Sequence, residues 1–118
     1  MLFGPLYASA WGLHALSTFR MPYPQFLFSD AFVEEKVKQL GVYDLGKLSN
    51  ALQPLNKWRL RDFANLWSSD KWSVEEFSKW GPSELLDLVF KYPEAFCGRG
   101  LRYEDLVTQA IRIQIKRL

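Results

Sequence analysis

The sequence predicts an all-α domain, built as a short array of antiparallel helical hairpins. Apolar residues recur at helical spacing in several segments, and most of these segments begin or end at a residue typical of a helix boundary. A faint internal repeat links two parts of the chain. No alternating apolar and polar run with hairpin turn signals is evident, so the sequence favours helices throughout.

The repeat consists of two helix-turn-helix units between residues 42 and 118. Leu48, Ala51 and Leu52 of the first unit fall on Leu86, Val89 and Phe90 of the second at a constant offset of 38 residues. The following helices match at an offset of 43, with residues 61–63 corresponding to residues 104–106. Because such hairpins cannot bury their apolar faces alone and three or more are usually needed, two units predict dependence on partners.

Three helices are predicted in the first half of the domain. The first is capped by Ser29 or Asp30, carries an apolar stripe, and ends at Gly41, since glycine is favoured just beyond a helix C-terminus. The second starts at the cap Asp44 and ends near Gln53, because Pro54 cannot continue it. The third has an apolar stripe that reaches Trp67. The predicted ranges are 30–40, 44–53 and 60–67.

Three more helices are predicted in the second half. Ser73 and Glu76 form a capping-box pattern that starts a helix ending at Trp80. Ser83 caps the next helix, and Pro93 follows its end. The last helix has a broad apolar face. The predicted ranges are 73–80, 83–92 and 102–117.

The N-terminal residues 1–24 are predicted to be a separate apolar arm with a proline linker, followed by the helical domain at 25–118. Residues 1–29 contain no acid. A secretory signal peptide would begin with basic residues, whereas this segment does not. A mitochondrial presequence would contain more arginine than this segment does. Glycine, proline and polar residues make this segment less apolar than a typical membrane-spanning helix. We expect instead that the arm packs into a neighbouring subunit, through the aromatic residues Phe3, Tyr7, Trp11, Phe19 and Tyr23.

Basic residues cluster at residues 57–61, 99–102 and 112–117, each near an expected turn or helix end. Such a row could contact phosphates. The alternative is that these cations face the solvent and only stabilise helix C-termini, without binding a ligand. Trp58 could stack on an unpaired base or cap the local core. The predicted RNA-binding residues are Lys57, Trp58, Arg59, Arg61, Arg99, Arg102, Arg112, Lys116 and Arg117.

Residues that usually carry catalysis or bind metals are scarce. His14 is the only histidine and Cys97 the only cysteine, so the chain can form neither an internal disulfide nor a Cys-based zinc site. No phosphate-binding glycine motif occurs, and the paired acids fall at helix starts or on polar faces. The sequence predicts no catalytic residues, no cofactor and no metal, and therefore a protein that is not an enzyme.

Residues 45–55 resemble the first helix of the repeats in octotricopeptide and heptatricopeptide proteins, which include organellar RNA-binding proteins with a RAP domain. The resemblance extends over residues 27–118. It implies an RNA-associated mitochondrial protein, and short proteins of this type occur in some mitochondrial ribosomes. An aromatic content of 16% suggests either a surface for partners or a dense aromatic core.

The predicted function is a non-catalytic structural subunit of a large organellar ribonucleoprotein. The expected assembly is the mitochondrial ribosome, in which the chain would contact rRNA and neighbouring proteins rather than act as a free monomer. The alternative is an accessory subunit of a mitochondrial inner-membrane respiratory or ATP synthase complex. That alternative requires residues 1–20 to anchor the chain in the membrane.

Overall fold

The computed structural model describes residues 1–16, 18–44, 47–52 and 54–118. The domain has mixed α/β structure, with 35% helix and 21% strand in two antiparallel sheets. The prediction of an all-α array of helical hairpins is therefore wrong. The fold implied by the resemblance to tricopeptide-type repeats is likewise not the fold observed.

The chain alternates short helices with strands. The strands are β1 (Leu2–Phe3), β2 (Val42–Asp44), β3 (Lys47–Ser49), β4 (Trp72–Trp80) and β5 (Ala110–Arg117). The helices are α1 (Pro24–Leu27), α2 (Asp30–Leu40), α3 (Leu60–Leu66), α4 (Asp87–Lys91), α5 (Pro93–Phe96) and α6 (Tyr103–Val107), with a 3-10 turn at Glu84–Leu86. The larger sheet has the order β1-β5-β4, and β2 pairs with β3 in the smaller one.

Two predicted helices are confirmed with their boundaries. The N-cap Ser29 accepts a hydrogen bond from the Phe32 amide over 3.2 Å, and α2 ends before Gly41, whose φ is 70°. Helix α3 occupies the predicted range 60–67 apart from its last residue. The predicted helix at 83–92 is present in part, as the 3-10 turn followed by α4.

The predicted helix at 102–117 is wrong beyond residue 107, where the chain becomes strand β5. Ile111 and Ile113 are buried at 0% and 1% exposure, while Arg112 between them and Gln114 after them are exposed. This alternation has the period of a strand, and β-branched isoleucines are favoured there. On a helix, the same isoleucines would be spread over more than one face.

The predicted helix at 73–80 is wrong because a β-bulge imitates helical spacing. Val74 pairs with Ile115 and Glu76 with Gln114, so Glu75 is an extra residue in β4. The extra residue reverses the alternation of faces. Val74 and Phe77 therefore share one face of the sheet, although their spacing of three is typical of a helix.

The predicted helix at 44–53 is replaced in the described residues by the β2–β3 pair and irregular chain. Val42 pairs with Ser49 and Tyr43 with Leu48. Pro54 limits any helix here to about ten residues, too few to be stable without strong packing. Leu45 and Gln53, which the predicted helix included, lie outside the described residues.

The N-terminal segment belongs to the core, so the prediction of an arm outside the domain body is wrong. Strand β1 pairs with β5, and the Gln25 side-chain amide donates to the carbonyl oxygens of Tyr7 and Ser9, each over 2.8 Å. Buried side chains of this segment contribute to all three apolar clusters. They are Leu6, Ala8, Ala10, Leu13, Ala15, Phe19 and Tyr23.

The domain is elongated. Its principal extents are 50 × 34 × 22 Å, and its radius of gyration is 15.8 Å. A compact chain of this length would have a radius of gyration of about 13–14 Å. The shape leaves much surface relative to volume, and fifteen large apolar side chains are exposed among the described residues.

Candidate nucleic-acid interface

A cleft with a volume of about 270 Å³ collects cations from three distant parts of the chain. It lies where α3, the inner face of β4 and the start of α6 meet, and we call it the basic cleft. Four cations and two carboxylates line it together with small and apolar residues. The lining residues are Arg59, Leu60, Arg61, Ala64, Phe77, Lys79, Gly100, Arg102, Glu104 and Asp105.

Two equivalent helix starts build the cleft. Asp62 in the first turn of α3 accepts from the Arg59 amide over 2.9 Å, and Asp105 in α6 accepts from the Arg102 amide over 3.0 Å. These pairs are related by the offset of 43 residues found in the sequence. The repeat therefore corresponds to a shared helix-capping arrangement rather than to a hairpin array.

Asp105 also joins the two helix starts. Its second carboxylate oxygen accepts from the Leu60 amide over 3.3 Å, and the residue is only 8% exposed. Hydrogen bonds from backbone amides stabilise a buried carboxylate that would otherwise be costly. This bridge brings the N-terminal ends of α3 and α6 together, and so Arg59 and Arg102 line one cleft.

The four cations of the cleft differ in the contacts that they already make within the domain. Arg59 donates to the carbonyl oxygens of Gly100 and Arg99 over 2.8 and 2.6 Å, so its guanidinium is held in place while keeping its charge. Lys79 forms an ion pair with Glu104. Arg61 and Arg102 are exposed, and within the described part of the chain neither pairs with a carboxylate.

Three other predicted RNA-binding residues are engaged in packing beside the cleft. The Arg99 guanidinium lies 5.0 Å from the centre of the Phe26 ring, and its Nε donates to the Ala95 carbonyl over 2.9 Å. The Lys57 ammonium lies 5.2 Å from the Tyr7 ring centre. Trp58 contacts Phe63 edge to face at 5.3 Å, the arrangement expected of a ring that caps the local core.

The remaining predicted cations lie on β5, and the strand register separates two of them from the cleft. Lys79 pairs with the buried Ile111, so Arg112 and Lys116 project from the opposite face of the sheet. Arg117 pairs with Trp72 at the end of the strand. The structure thus brings together Arg59, Arg61 and Arg102 but not all nine predicted residues.

The five aromatic residues predicted to contact a neighbouring subunit pack largely within the domain. Phe19 and Tyr23 are 7% and 0% exposed. Phe3, Tyr7 and Trp11 are half-buried, with Phe3 against Phe63 at 5.1 Å between ring centres. Their burial accounts for the apolar character of the segment without a partner.

An apolar groove adjoins the basic cleft at Arg102, which lines both. We call it the aromatic groove. It has a volume of about 550 Å³, and the rings of Phe90 and Tyr103 lie on it with their centres 5.6 Å apart. Its lining residues are Val89, Phe90, Pro93, Phe96, Cys97, Leu101, Arg102, Tyr103 and Leu106.

Sequence reasoning missed Lys79, Phe90 and Tyr103 as site residues. Lys79 lies in the segment predicted as the helix at 73–80, and only its place on β4 brings it to the cleft. Phe90 matches Leu52 in the repeat, a pattern that gives no sign of exposure, yet it is 61% exposed. Tyr103 directly follows Arg102, and an aromatic residue beside a cation was the signal that could have found it.

The described residues hold no group of three His, Cys, Asp or Glu side chains arranged to bind a metal ion. His14 Nε2 lies 2.9 Å from the Pro5 carbonyl oxygen, and Cys97 is an exposed free thiol. In the same part of the chain, none of the helices has the length and apolarity that crossing a membrane requires.

Comparison of the chain with protein-family models, curated proteins and solved structures finds no match. The site is a shallow basic cleft joined to an aromatic groove on a small α/β domain.

Proposed function

We propose that this chain is a non-catalytic RNA-contacting protein whose phosphate-binding surface is the basic cleft. The observation that carries the proposal is the convergence of Arg59, Arg61 and Arg102 on one cleft from segments about 40 residues apart. Cations that converge in this way raise the local positive potential and attract the phosphate backbone of a nucleic acid.

The state of each cation supports phosphate binding. The Arg59 guanidinium is already oriented by two backbone carbonyls, which lowers the ordering cost of using its remaining N–H groups. Arg61 and Arg102 are exposed and can rotate toward a ligand. Arginine suits this role because its planar guanidinium can donate two parallel hydrogen bonds to one phosphate.

We further propose that the chain works as a structural subunit of a large ribonucleoprotein in mitochondria, such as the mitochondrial ribosome. The elongated shape, with fifteen large apolar side chains exposed among the described residues, offers surface for an assembly partner. The organellar setting rests only on the resemblance of residues 45–55, since the observed fold is not the one that the resemblance implies. The acid-free N-terminal segment no longer supports it, since the domain itself buries that segment.

RNA affinity measured at several salt concentrations tests the proposal. The informative variant is Arg61→Gln combined with Arg102→Gln, which removes two exposed cations from the cleft. We expect weaker binding to every RNA sequence, and a plot of log affinity against log salt that flattens by about 0.7 per lost phosphate contact.

The matched control is Lys38→Gln combined with Lys47→Gln, which removes the same charge from exposed sites outside the cleft. This control should change the salt dependence much less. A second comparison, Arg112→Gln with Lys116→Gln, separates the cleft from the outer face of the sheet. Equal losses in all three variants, or binding that is independent of salt, would remove the proposed site.

A further inference from the structure

We propose that the aromatic groove binds an unpaired base of single-stranded RNA while the neighbouring phosphate lies in the basic cleft. The inference rests on the proposed function and specifies its ligand. It starts from Arg102, which lines both the groove and the cleft and so connects an apolar surface to a cationic one.

The groove has a buried floor and an exposed aromatic rim. Val89, Phe96 and Leu106 form the floor at 5%, 6% and 3% exposure, and they belong to one apolar cluster of the core. Phe90 and Tyr103 on the rim are 61% and 60% exposed. The floor is therefore rigidly packed, whereas the two rim rings offer their faces to a ligand.

The rim rings are arranged as a wedge rather than as a closed stack. Their planes meet at 53°, with centres 5.6 Å apart, so each ring keeps much of one face accessible. Base stacking on aromatic side chains tolerates any sequence, because every base has a π-face. The volume of about 550 Å³ exceeds what one flat base requires.

Charge favours a nucleotide over an apolar peptide as the occupant. Among the residues that the structure describes, the lining of the groove contains no carboxylate, and its only charged residue is Arg102. The next surface beyond Arg102 is the basic cleft with three further cations. A nucleotide matches this order of surfaces, since its base is flat and weakly polar and its phosphate carries the negative charge.

The same geometry favours single strands over duplexes. In a duplex the faces of the bases are stacked on one another, and a protein surface reaches only phosphates, sugar hydroxyls and base edges. A duplex could therefore occupy the basic cleft but could not place a base on Phe90 or Tyr103. A preference for single-stranded over duplex RNA therefore indicates binding in the aromatic groove, whereas the basic cleft alone would bind both.

The test uses the full chain, a fluorescently labelled 12-nucleotide single-stranded RNA and a duplex of the same length. The variant is Phe90→Leu combined with Tyr103→Leu, which keeps the groove apolar but removes its rings. The control is Tyr43→Leu, a residue that is 65% exposed and lines neither surface. Thermal melts followed by circular dichroism check that all variants fold.

We expect the single strand to bind the unmodified chain more tightly than the duplex. The double variant should lose roughly tenfold to a hundredfold in affinity for the single strand, with the salt dependence retained. Its affinity for the duplex should stay unchanged. A photoreactive 4-thiouridine in the single strand should crosslink to the peptide that contains Tyr103.

Two results would overturn the inference, and they can be told apart. If RNA binds with the expected salt dependence but the double variant binds single strands as well as the unmodified chain does, the groove takes no base although the basic cleft still binds phosphate. If the unmodified chain shows no salt-dependent RNA binding, the proposed function fails and the inference fails with it.

An acidic amphipathic helical peptide serves as the competing probe. If it binds the groove, and the double variant abolishes that binding while leaving RNA affinity unchanged, the groove is a protein-docking surface. That outcome would also overturn the inference. If the peptide fails to compete with single-stranded RNA in the unmodified chain, the nucleotide assignment is supported.

Discussion

The hydroxyl of Tyr23 donates a hydrogen bond of 2.9 Å to the backbone carbonyl of Leu106, across 83 residues of sequence. Tyr23 is fully buried and has left-handed backbone angles, with φ 58° and ψ 36°. A bulky residue rarely adopts this conformation unless its surroundings enforce it. Here the Tyr23 amide donates to the Ala10 carbonyl over 2.7 Å, so backbone and side chain together fasten the N-terminal segment to α6.

The first prediction concerns this hydrogen bond. Replacing Tyr23 by phenylalanine leaves the buried Leu106 carbonyl without its donor, and we expect a loss of about 1–3 kcal/mol in the free energy of unfolding. Urea denaturation followed by circular dichroism measures it. Tyr92→Phe removes a hydroxyl from a residue that is 44% exposed and should change stability by less than about 0.5 kcal/mol. Similar losses in both variants would contradict the structural role of Tyr23.

The second prediction is a pH dependence with the same origin. Burial raises the pKa of Tyr23 to about 12, whereas a tyrosine in the unfolded chain has a pKa near 10. Below about pH 10 both states keep the proton and this contribution to stability is complete. Between about pH 10 and 12 only the unfolded chain ionises, so stability falls by up to about 1.4 kcal/mol per pH unit.

The Tyr23→Phe variant isolates this contribution from other groups that titrate at high pH. The stability advantage of the unmodified chain over the variant should be constant between pH 7 and 9 and should shrink above pH 10. Urea midpoints at a series of pH values provide the comparison. If the stability difference stayed constant up to pH 11.5, the pKa of Tyr23 in the native state would not be raised above its value in the unfolded chain.

The sequence was sufficient for elements whose signals are local. Helix α2 has a serine cap, an apolar stripe and a terminal glycine, and all three act where predicted. Strand β4 could not be recognised from spacing alone, because the bulge at Glu75 places Val74 and Phe77 on one face. The alternation from Ile111 to Lys116 is present in the sequence, but it has no hairpin turn signal beside it and lies directly after a genuine helix start.

The candidate site was predictable only in part, for a related reason. The arginines at 59, 61 and 102 were identified from clustering, but their convergence depends on the tertiary contact between Asp105 and Leu60. That contact joins residues 45 positions apart. Lys79 reaches the cleft through the sheet register, which no local pattern specifies. Local clusters of charge thus predicted a cationic site, but only the tertiary structure shows which cations form it.

The third prediction tests the role of the bulge. Deleting Glu75 should leave Val74 paired with Ile115 and Glu76 with Gln114, because it removes only the extra residue and keeps Val74 and Phe77 on one face. We expect this variant to fold cooperatively, with a thermal denaturation midpoint close to that of the unmodified chain. Deleting Ser78, which is regularly paired with Arg112, should instead turn one end of β4 to the opposite face and cause a large loss of stability. Equal losses in the two deletion variants would show that Glu75 is not a removable extra residue.

The fourth prediction concerns the N-terminal segment, using two leucines with different environments. Leu13 is 5% exposed within an apolar cluster that includes Val33 and Val37, whereas Leu16 is 60% exposed. Leu13→Ala should cost about 2–5 kcal/mol, because it leaves a cavity in the core. Leu16→Ala should cost less than about 0.5 kcal/mol. If both substitutions were harmless, residues 1–24 would be an appendage rather than part of the core.

The last prediction compares the two equivalent helix starts. Asp105 accepts from two backbone amides, those of Arg102 and Leu60, while the corresponding Asp62 accepts from the Arg59 amide alone. An asparagine has only one side-chain acceptor oxygen. Asp105→Asn must therefore leave one buried amide unpaired beside an NH₂ group, whereas Asp62→Asn can keep its single hydrogen bond.

We expect Asp105→Asn to cost about 1–3 kcal/mol and Asp62→Asn clearly less, as measured by urea denaturation. The larger loss should come with separation of the helix starts, and hydrogen exchange at the Leu60 amide reports it directly. Exchange there should accelerate in Asp105→Asn and stay slow in Asp62→Asn. Equal stability losses with unchanged exchange at Leu60 would mean that something other than Asp105 holds α3 and α6 together. The basic cleft would then need a different structural explanation.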